Sequence, residues 1–446
     1  MNKVLILGAG LVAKPIVEYL LGRGIGVVIA SPMKDRAERM INGNPLGTSI
    51  DWSMDDPSKL DEMVAGSDVA VSLLPYQFHT RVARICIARH RPLVTTSYIQ
   101  PEMQHLQDEA KNAGVIILNE MGLDPGIDHM SAMRVIDHIH GNGGKVEEFW
   151  SLCGALPAPE AADNPLGYKF TWSPKGVILA SRNGAHYLRK GKRISIDPVD
   201  LFKDRFNYRI PETGEMEVYP NRDSIGYIDI YGIPETSTMY RGTFRFPGWC
   251  ETLDAMKQLN LLDDVVIDYR GKSYSDFLAE RAGIPNGNLK EAVAAKLGKN
   301  VNSVPIRAFE FLGFFENEFL NYAESSPFEI TSDRMIKRMM ISDDERDMVV
   351  MQHIFLAERP DSRKEVIKSF MLDFGTPSTN TAIARTVALP AAIAVRMILE
   401  NRIDLKGIYR PVVPEIYNPV LDELKSLGIE MKEEYGLPES VMPPTS

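Results

Sequence analysis

Cysteine is scarce in this 446-residue chain: Cys86, Cys153 and Cys250 are the only three, far apart and without a Cys-x-x-Cys pair. A disulfide framework and a zinc knot are therefore excluded as organising principles, and a reducing, cytoplasmic setting is expected. Excess positive charge is missing too. The net charge is -10, whereas a nucleic-acid binder needs a basic face, so no nucleic-acid partner is expected and an anionic ligand would need arginines gathered locally. No uninterrupted apolar run approaches the length of a membrane span, and the N-terminus reads as a core strand rather than a signal peptide, so no membrane partner is expected. Internal repeats and low-complexity tracts are also lacking. What remains is the composition of a soluble globular protein, 44% hydrophobic and 25% charged, in a length that calls for two or three domains.

The opening stretch is the most informative. The apolar run Val4–Leu7 leads through Gly8, Gly10 and Ala13 into an amphipathic helical pattern ending at Leu21, which is a strand, a glycine turn and a helix. The spacing G-x-G-x-x-A suits dinucleotide binding: Gly8 for the tight turn, Gly10 for close approach of a pyrophosphate, and the small Ala13 for helix–strand packing. At the end of the second strand, where NAD enzymes carry an acidic residue, Ser31 stands with Lys34 and Arg36 following. That favours NADP, whose 2′-phosphate these side chains could hold, while Asp35 keeps NAD as the less favoured alternative.

Strand and helix then alternate, with strands expected over Gly26–Ala30, Gly47–Trp52, Asp68–Leu74, Leu93–Ser97 and Val115–Asn119. Six short-connected strands predict a doubly wound parallel sheet, whose ligand edge is the set of strand C-terminal ends. From Gly144 the rhythm changes to strand-like pieces, KVEEFWSLCGALP, GVILASRN, RISID, YIDIYG and YRGTFRF, which predict a second, mixed sheet. Helical patterns follow, among them CETLDAMKQLNLL, SYSDFLAERAG, LKEAVAAKL and DERDMVVMQHIFL, and a long apolar helix near the C-terminus is expected to return to the first sheet.

Polar residues at the expected ligand edge are the candidates for chemistry. Tyr98 can supply or take a proton and Ser97 can orient a substrate, or the pair can simply pack. Asp124, before Pro125 and Gly126, reads either as a helix N-cap or as a site residue beside the nicotinamide end. His129 is expected to make a structural hydrogen bond, and no metal site is expected from Asp128 and His129, which lack partners at ligand spacing. Cys153 ends a strand near the same cleft, where a lone cysteine is ordinarily a small core residue. Arg222 lies in a polar turn, and Arg241 and Arg245 share one face of a strand, a pair suited to clamping a carboxylate if it is not spent on surface ion pairs.

Beyond these residues, the strings LILGAGLVAKPIVEYL, GLDPGIDHM, LCGALPAPEAADNPLGYKFTWSPKGV, YPNRDS and YRGTFRF together resemble the saccharopine reductase family, the NADP-dependent, glutamate-forming saccharopine dehydrogenases. The resemblance spans nearly the whole chain. It implies an α/β fold: a Rossmann doubly wound parallel sheet from residues 1–123 with about 375–446, a mixed α/β substrate and dimerisation domain from 124–247 and about 345–375, and a helical insertion at 248–345. It implies a homodimer and a small-molecule reaction in which aminoadipate semialdehyde and L-glutamate form an imine that NADPH reduces to saccharopine. By the same resemblance the nucleotide contacts Gly8, Gly10, Leu11, Val12, Ser31, Asp51, Pro75 and Leu123. Ser97, Tyr98, Asp124, Arg222, Thr243 and Arg245 hold saccharopine. Lys169 to Ser173 lies between the ligands, and Tyr98, Asp124 and Cys153 are the acid–base candidates. The alternatives are a sibling imine reductase of the carboxyspermidine dehydrogenase type and a non-catalytic NADP-binding regulatory protein.

Overall fold

A seven-stranded, all-parallel sheet organises the first part of the computed structural model, which describes residues 2–285, 287–378 and 380–444. Its order is Gly47–Ile50, Gly26–Ala30, Lys3–Leu7, Val69–Ser72, Leu93–Thr95, Ile116–Leu118 and Gly407–Tyr409. The first six follow the order 3-2-1-4-5-6 of a dinucleotide-binding sheet, so the crevice at the strand C-termini opens between Lys3–Leu7 and Val69–Ser72. The seventh strand comes from the far C-terminal region and was not among the six expected. Its three residues, Gly407, Ile408 and Tyr409, are too few to carry a strand pattern, and pairing with Ile116–Leu118 makes them one.

The long helix Ala382–Leu399 packs on the Lys14–Leu21 helix and on the sheet. By length and composition this helix could cross a membrane, although Arg385 and Arg396 interrupt its apolar run. Here 72% of it is buried inside the protein, as for a core helix. Its N-terminus is fixed from the second sheet. Asp347 accepts the N–H groups of Ala382 and Ile383 at 2.7 and 2.9 Å, and Thr381 Oγ1 caps Ala384.

The second sheet is mixed and has nine strands, running Phe206–Ile210, Gly214–Pro220, Thr238–Arg245, Lys145–Pro157, Asp347–Glu358, Lys364–Phe374 and Lys432–Leu437, with Ala185–Arg189 and Lys192–Ile196 branching from Thr238–Arg245. Three segments differ from expectation. The stretch within DERDMVVMQHIFL is the central strand Asp347–Glu358, buried on both faces between two long neighbours; a continuous apolar run of that kind carries neither helical nor strand period. GVILASRN falls on the helix Pro174–Ala180, started by Ser173 and Pro174, and YIDIYG on the helix Tyr227–Tyr231, stopped by Gly232 in the left-handed region. Both runs are too short for alternation to be decisive. The strand Lys432–Leu437 pairs with Lys364–Phe374, so the C-terminal segment is shared between the sheets rather than given wholly to the first.

Helices Trp249–Gln258, Tyr274–Ala282, Leu289–Lys296, Val304–Leu312 and Pro327–Met339 form the insertion. They bury one face of the second sheet around Trp150, Phe244 and Ile354. The opposite face, with Phe149, Cys153 and Met351, joins one continuous core that runs through the helix Ile127–Gly141 to the first sheet. The ligand edge of the first sheet thereby meets the C-terminal end of the Thr238–Arg245 strand.

Candidate active site

At the nucleotide end the glycine turn is built as its spacing requires. Gly8 has φ +109°, and a Cβ there would press to 3.3 Å from the Leu73 carbonyl oxygen. A Cβ on Gly10 would meet nothing within 4 Å, leaving an open cradle in front of the Lys14–Leu21 helix. No side chain caps that helix, and Pro15 in its first turn has no N–H to satisfy, so the helix start faces the turn without a side-chain acceptor of its own. Ala13 is fully buried between helix and sheet. These features fit a dinucleotide's pyrophosphate. Ser31 is buried at the end of the second strand and its Oγ accepts the Met33 N–H at 3.1 Å, so its own hydroxyl hydrogen is still to be donated. Lys34 reaches Glu38 at 3.7 Å, whereas Arg36 has no ion pair among the described residues. Asp51 and Pro75 are exposed at strand ends, and Leu123 is buried. Leu11 and Val12 lie in the turn itself.

The loop after Ile116–Leu118 leads into a buried polar network. Gly126, at φ +149°, lies so close to Gly122 that a Cβ would come within 1.9 Å of its carbonyl oxygen, and this tight fold holds Asp124 at the sheet edge. Tyr98 Oη donates to Asp124 Oδ1 at 2.6 Å. Arg241 arrives from the second sheet and donates to Tyr98 Oη at 3.0 Å, to Asp128 Oδ2 at 3.2 Å, and to Asp124. Asp128 Oδ1 also accepts the Gly126 N–H at 2.6 Å. Behind them His129 contacts Glu120 at 2.7 Å and Tyr231 Oη at 2.7 Å, and Glu120 is further held by Arg410 and the Ile99 N–H.

This buried network sorts its charges. Burial would raise Asp124, but Arg241 and the Tyr98 hydroxyl overcome it and hold the carboxyl below its usual range. Asp128 loses the same contest: burial, aided by the charge of Asp124, pushes it up to about 6. Burial works against the charged form of His129, yet Asp128 and Glu120 keep its pKa above normal, and Glu120 falls to about 2 despite its own burial, chiefly through His129. Tyr98 is pushed well above 10 by burial and stays a phenol. Burial also raises Cys153 well above its ordinary value, with Asp124 and Asp128 adding to the effect, so its thiol is protonated at neutral pH and cannot serve as a resting base.

Arg245 lies further along the same strand in a different setting. Its guanidinium carbon sits 4.9 Å from the ring centroid of Tyr168, 5.3 Å from Trp249 and 6.0 Å from Tyr219. One nitrogen donates to the Phe244 carbonyl and Nε is buried without a partner. Thr243 lies between Cys153 and Tyr219 in register. Arg222 is exposed, with its guanidinium 5.7 Å from the Tyr98 ring. The structure thus gathers Ser97, Tyr98, Asp124, Cys153, Arg222, Thr243 and Arg245 along one seam between the sheets. Lys169 begins the next stretch, paired with Asp163 at 2.9 Å and with Glu345, and Ser173 closes it, exposed. Between them Thr171 Oγ1 is buried without a hydrogen-bond partner.

One expectation needs correcting. Arg241 is not a free half of a carboxylate clamp; its Nη2 is committed to Asp124, Asp128 and Tyr98, while its Nε is buried without a hydrogen-bond partner among the described residues. Strand parity places it beside Arg245 but carries no information about the carboxylates that face it. Glu120 falls at the expected ligand edge but was given no role from the sequence, and His79 was missed. Glu120 adopts φ +60°, uncommon for a side-chain-bearing residue, and no sequence pattern marks that.

Family models match both parts of the chain: one described as Saccharopine dehydrogenase NADP binding domain over residues 4–118, and one described as Saccharopine dehydrogenase C-terminal domain over residues 122–429. The NADP(+)-dependent, L-glutamate-forming saccharopine dehydrogenase of Saccharomyces cerevisiae is 36% identical, over 97% of this chain and 99% of its own. That of Schizosaccharomyces pombe is 33% identical over 97% and 99%. The mitochondrial alpha-aminoadipic semialdehyde synthase of Bos taurus is 36% identical across 96% of this chain, which spans 47% of that longer protein. The solved apo structure of the histidine-tagged Saccharomyces cerevisiae saccharopine dehydrogenase (L-Glu forming) superposes with a TM-score of 0.91 at 36% identity, covering 98% of this chain and all of that one. With the nucleotide turn, the Asp124 loop and the arginine-bearing strand all falling inside these matches, the chain belongs to the saccharopine dehydrogenase family.

Proposed function

We propose that this protein is an NADP-dependent oxidoreductase that interconverts saccharopine with L-glutamate plus aminoadipate semialdehyde, in the aminoadipate route of lysine metabolism. The observation that carries the reading is the juxtaposition of two arginines that make no ion pair among the described residues, Arg222 and Arg245, with the Tyr98–Asp124 hydrogen bond at the ligand edge of the nucleotide sheet. Saccharopine has three carboxylates, and guanidinium groups held without an anion are what such a ligand needs.

The Gly8–Ala13 turn would hold the pyrophosphate of NADP, with Ser31, Lys34 and Arg36 at the 2′-phosphate and Asp51, Pro75, Leu123 and Ser173 along its length. When bound, the reduced cofactor supplies the hydride for the imine carbon. Arg222, Thr243, Arg245 and Ser97 fix the carboxylates, which converts imine formation between two substrates into a reaction of aligned neighbours. Asp124, kept ionised by Arg241 and Tyr98, takes a proton from the glutamate ammonium, freeing the amine to attack the aldehyde. The Tyr98 phenol then protonates the leaving hydroxyl of the carbinolamine, and Asp124 returns its proton to the phenolate as water departs. Arg241 holds the single negative charge of the pair throughout. Cys153 stands opposite Thr243 in register, under the charges of both Arg241 and Arg245.

The absorbance of NADPH, followed with glutamate and aminoadipate semialdehyde together, tests this reading. Oxidation that needs both substrates and prefers NADPH to NADH is expected. Turnover only when a diamine replaces glutamate would move the chain to the sibling imine reductases. The proposal extends to a cytoplasmic homodimer with no membrane or nucleic-acid partner. It is supported by three buried, unpaired cysteines, an acidic net charge and a second sheet whose outer strands end open. Sedimentation at the mass of one chain would overturn the dimer.

A further inference from the structure

Ser97 does not stand alone at the seam. Its Oγ lies 2.9 Å from His79 Nε2, and His79 Nδ1 lies 2.9 Å from the Oγ of Ser72. Ser72 ends the Val69–Ser72 strand, is fully buried, and among the described residues its hydroxyl meets only this imidazole. His79 is itself buried, at the first position of the helix His79–Ala88, where the helix dipole disfavours a cation. Burial pushes its pKa down to about 4, so the ring is neutral, with one N–H and one lone pair.

Which nitrogen carries the proton follows from Ser72. A buried hydroxyl with a single polar neighbour donates to it, because an orphaned donor is costlier and rarer than an under-used acceptor. Ser72 therefore donates to Nδ1, the ring proton sits on Nε2, and Nε2–H is given to Ser97 Oγ. Ser97's own hydrogen cannot point back at the ring and is left for the cleft. We propose that His79 is a positioning residue which, through a one-way hydrogen-bond chain from Ser72, fixes Ser97 as a donor to a substrate carboxylate. This rests on the reading of Ser97 as a substrate contact given above.

Two substitutions separate this role from mere packing. Glutamine at position 79 places an amide N–H where Nε2 stands and keeps the donation to Ser97; asparagine reaches Ser72 instead and leaves Ser97 unsupported. In His79→Asn the KM for glutamate is expected to rise about tenfold, the size of one lost oriented hydrogen bond, with the KM for NADPH unchanged. His79→Gln should stay within about threefold of the unaltered protein on the same scale. In a Ser97→Ala background, His79→Asn should add nothing. A full effect in that background, or equal losses in both His79 variants, would overturn the proposal. Nitrogen-15 NMR of histidine-labelled, unaltered protein reads the chain directly and needs no substrate. A neutral Nε2–H ring across neutral pH is expected, and an Nδ1–H ring or an imidazolium would overturn the inference. If the unaltered protein shows no glutamate-dependent turnover, the substrate reading fails, and with it the carboxylate assigned to Ser97. The NMR result separates that failure from a failure of the Ser72–His79–Ser97 chain.

Discussion

Arg241 and Arg245 stand on the same face of the strand Thr238–Arg245, both buried, at 3% and 6% exposure. Arg241 is surrounded by Asp124, Asp128 and the Tyr98 hydroxyl. Arg245 is surrounded by the faces of Tyr168, Trp249 and Tyr219 and makes no ion pair among the described residues; Glu217, directly across in register, is paired with Arg205 at 2.9 Å instead. Aromatic faces attract a guanidinium without occupying its N–H groups. On the proposed reading, one arginine holds Asp124 ionised beside the Tyr98 phenol, and the other is left for an anion that the substrate would bring. The same residue type in the same strand becomes scaffold or receptor according to what faces it.

The largest consequence falls on the scaffold arginine. Arg241→Leu leaves Asp124 and Asp128 buried without their cation and is expected to destabilise the fold by about 3–5 kcal/mol in denaturant titration. A loss below about 1 kcal/mol would make Arg241 as expendable as a surface residue. Next comes Glu120, whose folded pKa of about 2 lies below its ordinary 4.5. Its stabilisation is complete above the ordinary value and disappears as pH falls toward the folded one. Across that window Glu120→Gln should flatten the acid unfolding curve by about 3 kcal/mol. His129 slopes the other way: its raised pKa gives stability that is full below its ordinary value and is lost as pH rises through the folded one. The smallest effect is expected at the receptor. Trp249→Leu removes one face of the cage and should weaken saccharopine binding by about 1 kcal/mol, and more if the face is fully desolvated; no change in KM would mean that the cage does not position Arg245.

Much of this was legible in the sequence, for reasons that can be named. Gly8, Gly10 and Ala13 carry their geometry in their spacing, whereas the close approach of Gly126 to Gly122 that presents Asp124 was not read from the sequence, since no residue spacing marks it. Strand parity put Arg241 and Arg245 on one face. It could not say which of them meets a carboxylate, since Asp124 and Asp128 come from a loop and the helix start after it, more than a hundred residues earlier in the chain. The Asp347–Glu358 strand was hidden because a central strand covered on both faces carries apolar residues at adjacent positions and so shows no alternation. His79 was hidden because its partners, Ser72 and Ser97, meet only when neighbouring parallel strands are in register.

The distinction between the two arginines is tested most directly by Arg245→Leu, with the KM for saccharopine and the Kd for NADPH measured on the same preparation. An uncharged side chain there should raise the KM about 30- to 150-fold, the worth of a charge-assisted hydrogen-bonded pair, while the Kd for NADPH stays within about twofold. Equal losses of both, or neither, would contradict the assignment of Arg245 as the substrate's receptor.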